Sequence, residues 1–231
     1  ATHDDCPGDS YCDPDGQCVP YGVPPDVIND PECSKEALPE GVKPIVQCEW
    51  SAPDPGDPTI NSTLVYTTPL VADLNLDKDP GKLQPSVILT TWYSKGTLGR
   101  VGTLRVFDGR TCAEQMRAGG DDEPDDQNRP GYGTQWVVGD LDGDVGQGGH
   151  PEIVGLHRMP ANNDNGPLSM IAYRIDSSGP DPVLARMWYG RDCDADTIVT
   201  FNTARANFGP SIQLLDDDGV PELFMDEMVF D

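Results

Sequence analysis

The sequence predicts an all-β fold of repeated antiparallel units behind a small cysteine-rich module, and three observations carry that prediction. From about Ile45 onward, short apolar runs alternate with Gly, Asp and Pro clusters, with no sustained helical period. An acidic loop between two such runs occurs three times, as Pro69-LVADLNLDKD, Val137-VGDLDGDVGQGGHPEIVGL and Ile212-QLLDDDGVPELFM. The copies are far apart and similarly spaced: 67 residues separate Asp73 from Asp140, and 74 separate Asp140 from Leu214, the equivalent place in the third copy. A period that long belongs to repeated supersecondary units rather than to one isolated loop.

In chain order, residues 1–44 form a leader and connector rich in Asp, Pro, Gly and Cys, with turn signals at Asp15-Gly16 and Pro24-Pro25. Strands are expected at Leu64–Tyr66, Val87–Trp92, Leu104–Phe107, Trp136–Val138, Ile153–Leu156, Met170–Tyr173, Leu184–Trp188, Ile198–Phe201 and Leu223–Met225. Hairpin turns are expected at Asp108-Gly109 and Ser178-Gly179. Each unit runs strand, acidic loop, second strand, third strand (Gly102-TLRVFDG, Ser169-MIAYRID), turn and fourth strand (Glu114-QM, Ala185-RMWYG). Four antiparallel strands in about 70 residues is the pattern of a β-propeller blade. A β-sandwich is the competing architecture, but it gives no reason for an acidic loop to recur at one place. The segment 45–231 holds about three such blades, fewer than a closed ring needs. The expectation is an incomplete ring: a fragment of a longer polypeptide, or a chain completed by another, with an open strand edge at Met228-VFD.

Composition narrows the partners. Forty acidic residues against fifteen basic ones give a net charge of −25, the wrong sign for nucleic acid or an anionic membrane surface. No apolar run approaches the roughly 18 residues of a membrane span. Five of the seven cysteines (Cys6, Cys12, Cys18, Cys33, Cys48) crowd a stretch too poor in apolar residues to bury a core; Cys112 and Cys193 follow. Disulfides in an oxidising compartment are the expected staples, so the chain is expected to be secreted or displayed at the cell surface. The six-residue steps between Cys6, Cys12 and Cys18 do not give the close pairs of a zinc site. An odd count leaves one cysteine free or paired with another chain.

The loops themselves point to a cation. In Asp140-x-Asp142-x-Asp144, carboxylates on alternate residues converge when the backbone curls, and Gly143 permits the curl. At these residues the chain resembles the FG-GAP/VCBS repeat family, whose blades occur in integrin α-subunit propellers and in secreted bacterial proteins. Asp140-LDGD with Pro151-EIVGL matches the repeat consensus around a Val-Gly-Gln-Gly insert, and Asp216-DDGVPELF matches without one. Asp73-LNLD matches the acidic half. The resemblance spans residues 45–231 and implies a Ca²⁺ ligand set: side chains at loop positions 1, 3, 5 and 9. Loop two is then complete, with Asp140, Asp142, Asp144 and Glu152. Loop one offers Asp73, Asn75 and Asp77, with Asp79 in reserve and Ser86 in ninth place. Loop three offers Asp216, Asp218 and Glu222, but Leu214 occupies its first position.

Competing chemistry is thin. His3, His150 and His157 are the only histidines and read as surface-loop residues, and no nucleophile elbow, P-loop or HExxH stretch is present. Trp50, Trp92, Trp136 and Trp188 are expected to pack blade cores rather than to line a sugar site. The functional expectation is a calcium-binding adhesion or binding module for an extracellular protein or glycan. The alternatives are a structural subunit that completes its blades with another chain of the same assembly, and a propeller-type polysaccharide lyase or glycosidase.

Overall fold

The computed structural model describes residues 45–77, 82–93, 101–120, 129–159, 167–201, 209–215 and 220–230, together with the backbone of Ser10–Cys12 and Cys18–Pro20. The chain divides into two compact units, Ala1–Ile45 and Val46–Asp231. In the first unit, β1 (Ser10–Cys12) and β2 (Cys18–Pro20) form an antiparallel hairpin with Cys12 opposite Cys18.

The second unit is all-β, with no α-helix among the described residues, and consists of three antiparallel sheets. The first holds β3 (Leu64–Val65), β4 (Leu70–Asp73), β5 (Pro85–Trp92), β6 (Gly102–Asp108) and β7 (Glu114–Gly119). The second is a meander of β8 (Val137–Gly139), β9 (Glu152–Arg158), β10 (Leu168–Asp176) and β11 (Val183–Tyr189). The third runs β12 (Ser211–Gln213), β13 (Glu222–Met225) and β14 (Met228–Phe230). Among the described residues none of the three sheets closes on itself.

The five strands of the first sheet reduce to the same four-stranded plan. β6 occupies one edge of β5 along its length, so β3 and β4 share the other edge, with Leu64 opposite Trp92 and Leu70 opposite Ile88. They are one first strand, broken by the loop between Val65 and Leu70. The predicted turns are present as well. Asp108 accepts the backbone amides of Arg110 and Thr111 at 2.9 and 2.8 Å between β6 and β7, and Asp176 accepts Ser178 N–H at 2.9 Å after β10.

The sheets stack face to face, and alternation along the strands shows how. In β10, Ile171, Tyr173 and Ile175 face the first sheet, where they meet Ile88, Leu104, Val106 and Met116. Leu168, Met170 and Ala172 face the third sheet and pack with Leu223 and Met225. Both faces of the second sheet are therefore covered, and β9 is buried throughout. Gly155 in β9 is required by this fit: a Cβ there would lie 2.4 Å from Trp136 Cε3. Trp92 and Trp136 are core residues, as expected, whereas Trp50 and Trp188 are half-buried.

Two expectations are corrected. Ile198–Phe201 is not a strand; Arg191–Ile198 and Leu168–Phe201 form isolated bridges, and the segment crosses the end of the second sheet instead of joining its ladder. His150 and His157 are not surface residues but are buried, His150 against the Leu74 carbonyl and His157 in the doubly covered β9 against the Tyr189 ring.

A disulfide joins Cys48 to Cys112, tying the segment that enters the first sheet to the β6–β7 turn. Cys193 is exposed and forms no disulfide within the chain. Cys6 and Cys33 lie outside the described residues, as do His3, Asp79, Asp216 and Asp218.

Candidate metal centre

Strand register fixes the equivalence of the three acidic loops independently of their charge. The residue before position 1 pairs with position 9 in every copy: Ala72 with Ser86, Gly139 with Glu152, Gln213 with Glu222. Each loop thus bridges the first and second strands of its sheet at the same end.

Loop two brings three of its four predicted residues together. The carboxylates of Asp140, Asp142 and Asp144 each offer an oxygen within 4.8 Å of the others. The curl is held from inside, because Asp144 N–H donates to Asp140 Oδ1 at 3.0 Å and lies 3.3 Å from Asp142 Oδ1. Gly143 takes φ +75°, the left-handed conformation for which glycine suits this turn. The insert forms a 3₁₀ turn over Val145–Gln147 that returns the chain, and Gly149 N–H then donates to the Asp144 carbonyl at 3.0 Å. Asp144 Oδ1 is buried with no hydrogen-bond donor. An ionised carboxylate accepts only, so this oxygen has lone pairs that a cation or a water could take.

Glu152 lies outside that converging set but is held against the same loop. It is 1 % exposed, and its Oε2 accepts Leu141 N–H at 2.8 Å. Burial pushes its pKa up to about 7; the Leu141 amide opposes the shift, while the negative charges of Asp142 and Asp144 add to it. The three aspartate carboxylates held this close repel one another, and a divalent ion would offset that repulsion. The donor set, all oxygen and anionic, fits a hard cation such as Ca²⁺.

The other loops differ. In loop one both Asp73 oxygens are engaged by backbone amides, Oδ1 by Asn75 and Oδ2 by Gln84. Asn75, at φ +52°, sends its side-chain amide across to the Gly149 carbonyl at 2.7 Å, and Asp77 is exposed. Ser86, in ninth place, donates to Gln115 Oε1 at 2.8 Å. His150 strengthens the same link, with Nδ1 3.0 Å from the Leu74 carbonyl and Nε2 3.0 Å from Ser177 Oγ. Loop one therefore buttresses loop two. In loop three Glu222 repeats the Glu152 contact, accepting Leu215 N–H at 2.7 Å, but Leu214 is 65 % exposed and offers no oxygen.

Sequence reasoning missed two features. Asn75 and His150 act across 74 and 76 residues, a distance at which no local pattern signals the contact. A cleft of about 460 Å³ lies between the second and third sheets, lined by Leu141, Met187, Trp188, Arg191, Pro221 and Phe230. Leu141 sits between two of the clustered carboxylates, so loop two forms part of the cleft wall. Asp192, Cys193 and Asp194 also lie close together, but Asp192 Oδ1 already accepts the amides of Asp194 and Ala195.

No family model matches this chain, and neither a curated protein nor a solved structure is significantly similar to it.

Proposed function

We propose that the chain is a calcium-binding segment of a β-propeller that acts as an extracellular binding module, of the FG-GAP/VCBS kind that its loops resemble. One observation carries the reading: the converging Asp140, Asp142 and Asp144 carboxylates beside buried Glu152, with an undonated oxygen on Asp144. Three stacked antiparallel sheets, each with its acidic loop at the same end, support the blade assignment. Calcium would neutralise the carboxylates and fix the curl of loop two. Among the described residues loops one and three lack a full oxygen set, so one ion, at loop two, is the expected stoichiometry.

The binding role rests on the cleft beside Leu141. Its lining of Met187, Trp188 and Phe230 together with Arg191 suits an extracellular protein segment or a glycan. A carboxylate pair free to act on a glycan would favour the lyase or glycosidase alternative. Asp192 and Asp196 line the cleft, but they are engaged by backbone amides and by Arg191 respectively. The binding reading is therefore preferred.

Calorimetric titration of the chelator-treated protein with CaCl₂ tests the metal. One binding event is expected, with at least tenfold weaker affinity in Asp142→Ala. Saturation at 100 times Kd should add about 2.7 kcal/mol of stability. No heat of binding together with an unchanged melting temperature would overturn the reading.

A further inference from the structure

The three sheets present the same rows of side chains, and the rows can be followed from one sheet to the next. Counting two residues on from Ser86, Glu152 and Glu222 gives the pairs Ile88–Val106, Val154–Ala172 and Phe224–Val229. The first pair is buried between the first and second sheets, and the second pair between the second and third. The third pair belongs to neither core: Phe224 is half-buried and Val229 is 54 % exposed. One residue back along the second strands lies the opposite row: Val87–Phe107, Ile153–Tyr173 and Leu223–Phe230. In the second and third sheets this row packs onto the preceding sheet.

The first sheet is covered there by something else. Trp50 packs on Phe107 with ring centroids 5.1 Å apart. Arg105 stands in the register place of Ile171 and Met228 and is buried against Asp57 and Thr59 of the covering segment. Ser62 reaches Thr91 and Thr103 at 3.1 and 3.3 Å. That end of the stack is closed by a polar cap, while the other end presents an apolar row continuous with two established interfaces.

We propose that the outer face of the third sheet, centred on Phe224 and Val229, is a docking surface for one further antiparallel β-sheet. Its occupant presents a branched and aromatic row like Ile153–Tyr173. A second copy of this chain does not supply that row by stacking head to tail, because its own first sheet is capped over Arg105 and Phe107. The inference rests on the blade reading of the stacked sheets and stands or falls separately from calcium.

The test uses the chain with and without a second copy of residues 129–201 joined after Asp231 by a flexible linker, which supplies the matching row. In a Cys193→Ser background, Val229→Cys is labelled with a thiol reagent and followed by mass spectrometry. Labelling in the extended chain is expected to slow at least tenfold. Equal rates, with the added sheet folded by circular dichroism, would overturn the proposal. In the unextended chain, Val229→Asp is expected to leave the melting temperature within about 2 °C, whereas Ala172→Asp in the matching row abolishes folding. If Val229→Asp is as damaging, the face is already occupied within the chain and the proposal fails. If the unextended chain is a dimer that Val229→Asp splits, the occupant is a second copy, and the assignment of a different sheet fails.

Discussion

A guanidinium shut away from water needs a partner for each of its five donors, and Arg105 finds all five. Nε donates to Thr91 Oγ1, Nη1 to Asp57 and Glu114, and Nη2 to Thr59 Oγ1 and the Thr59 carbonyl. Arg117 adds a second cation 2.6 Å from Asp57. Removing one member leaves the rest buried and unmatched, so Arg105→Ala should lower stability by about 3–5 kcal/mol, read from urea midpoints. Asp57 adds a pH dependence. Its burial works to raise the pKa, but the Thr59 hydroxyl and amide and then Arg105 outweigh burial and hold the carboxyl below its usual value. A lowered folded-state pKa contributes stability above the unfolded value of 3.8, and that contribution is lost as pH falls through the folded value. Asp57→Asn should therefore be less stable than wild type at pH 6, with the gap shrinking towards pH 3. A constant gap would mean that Asp57 does not titrate this way.

At the scale of single elements, loop two is an assembly of close approaches. A Cβ on Gly149 would lie 1.8 Å from Asp144 Oδ1, so Gly149→Ala must displace a carboxylate of the candidate site. Calcium affinity should fall at least tenfold while the melting temperature in chelator changes by only a few degrees. An unchanged affinity would place the ion elsewhere. In β9, Gly155→Val drives a side chain into Trp136 and should cost about 1–3 kcal/mol by overpacking. Much of this scale was legible in the sequence. The acidic loops and most strands stand where turn residues and apolar runs put them, because both signals are local. Cys48–Cys112, the Asn75 and His150 contacts and the polar shell of Arg105 were not legible. Their partners lie 46–76 residues away for Asp57, Thr59, Cys112, Gly149 and Leu74, and only the tertiary fold brings them together. The burial of His157 is of the same kind, since covering both faces of one sheet leaves no alternation to read.

For the molecule as a whole, closing a long loop and carrying a large net charge set the stability. The Cys48–Cys112 bond spans 64 residues, a length for which chain entropy assigns about 4 kcal/mol. Cys48→Ser with Cys112→Ser should lower the midpoint of denaturation accordingly, and a change under 1 kcal/mol would show that the unbridged chain is already constrained. The charge of −25 opposes compaction, so added monovalent salt should raise the melting temperature of the chelator-treated protein more than that of the calcium-loaded one.

The same covalent bond also decides how the molecule bears load. A pull entering the chain ahead of Cys48 crosses to Cys112 through sulfur, bypassing β3, β4, β5 and β6. The 64-residue loop that holds those strands is about 22 nm of extended chain, at roughly 3.5 Å per residue, as slack that tension cannot reach until the disulfide is reduced. Forced-extension traces should lengthen by that amount on adding reductant. Under such a load the first sheet, and the buttress that sheet gives the acidic loop, is a mechanically shielded element.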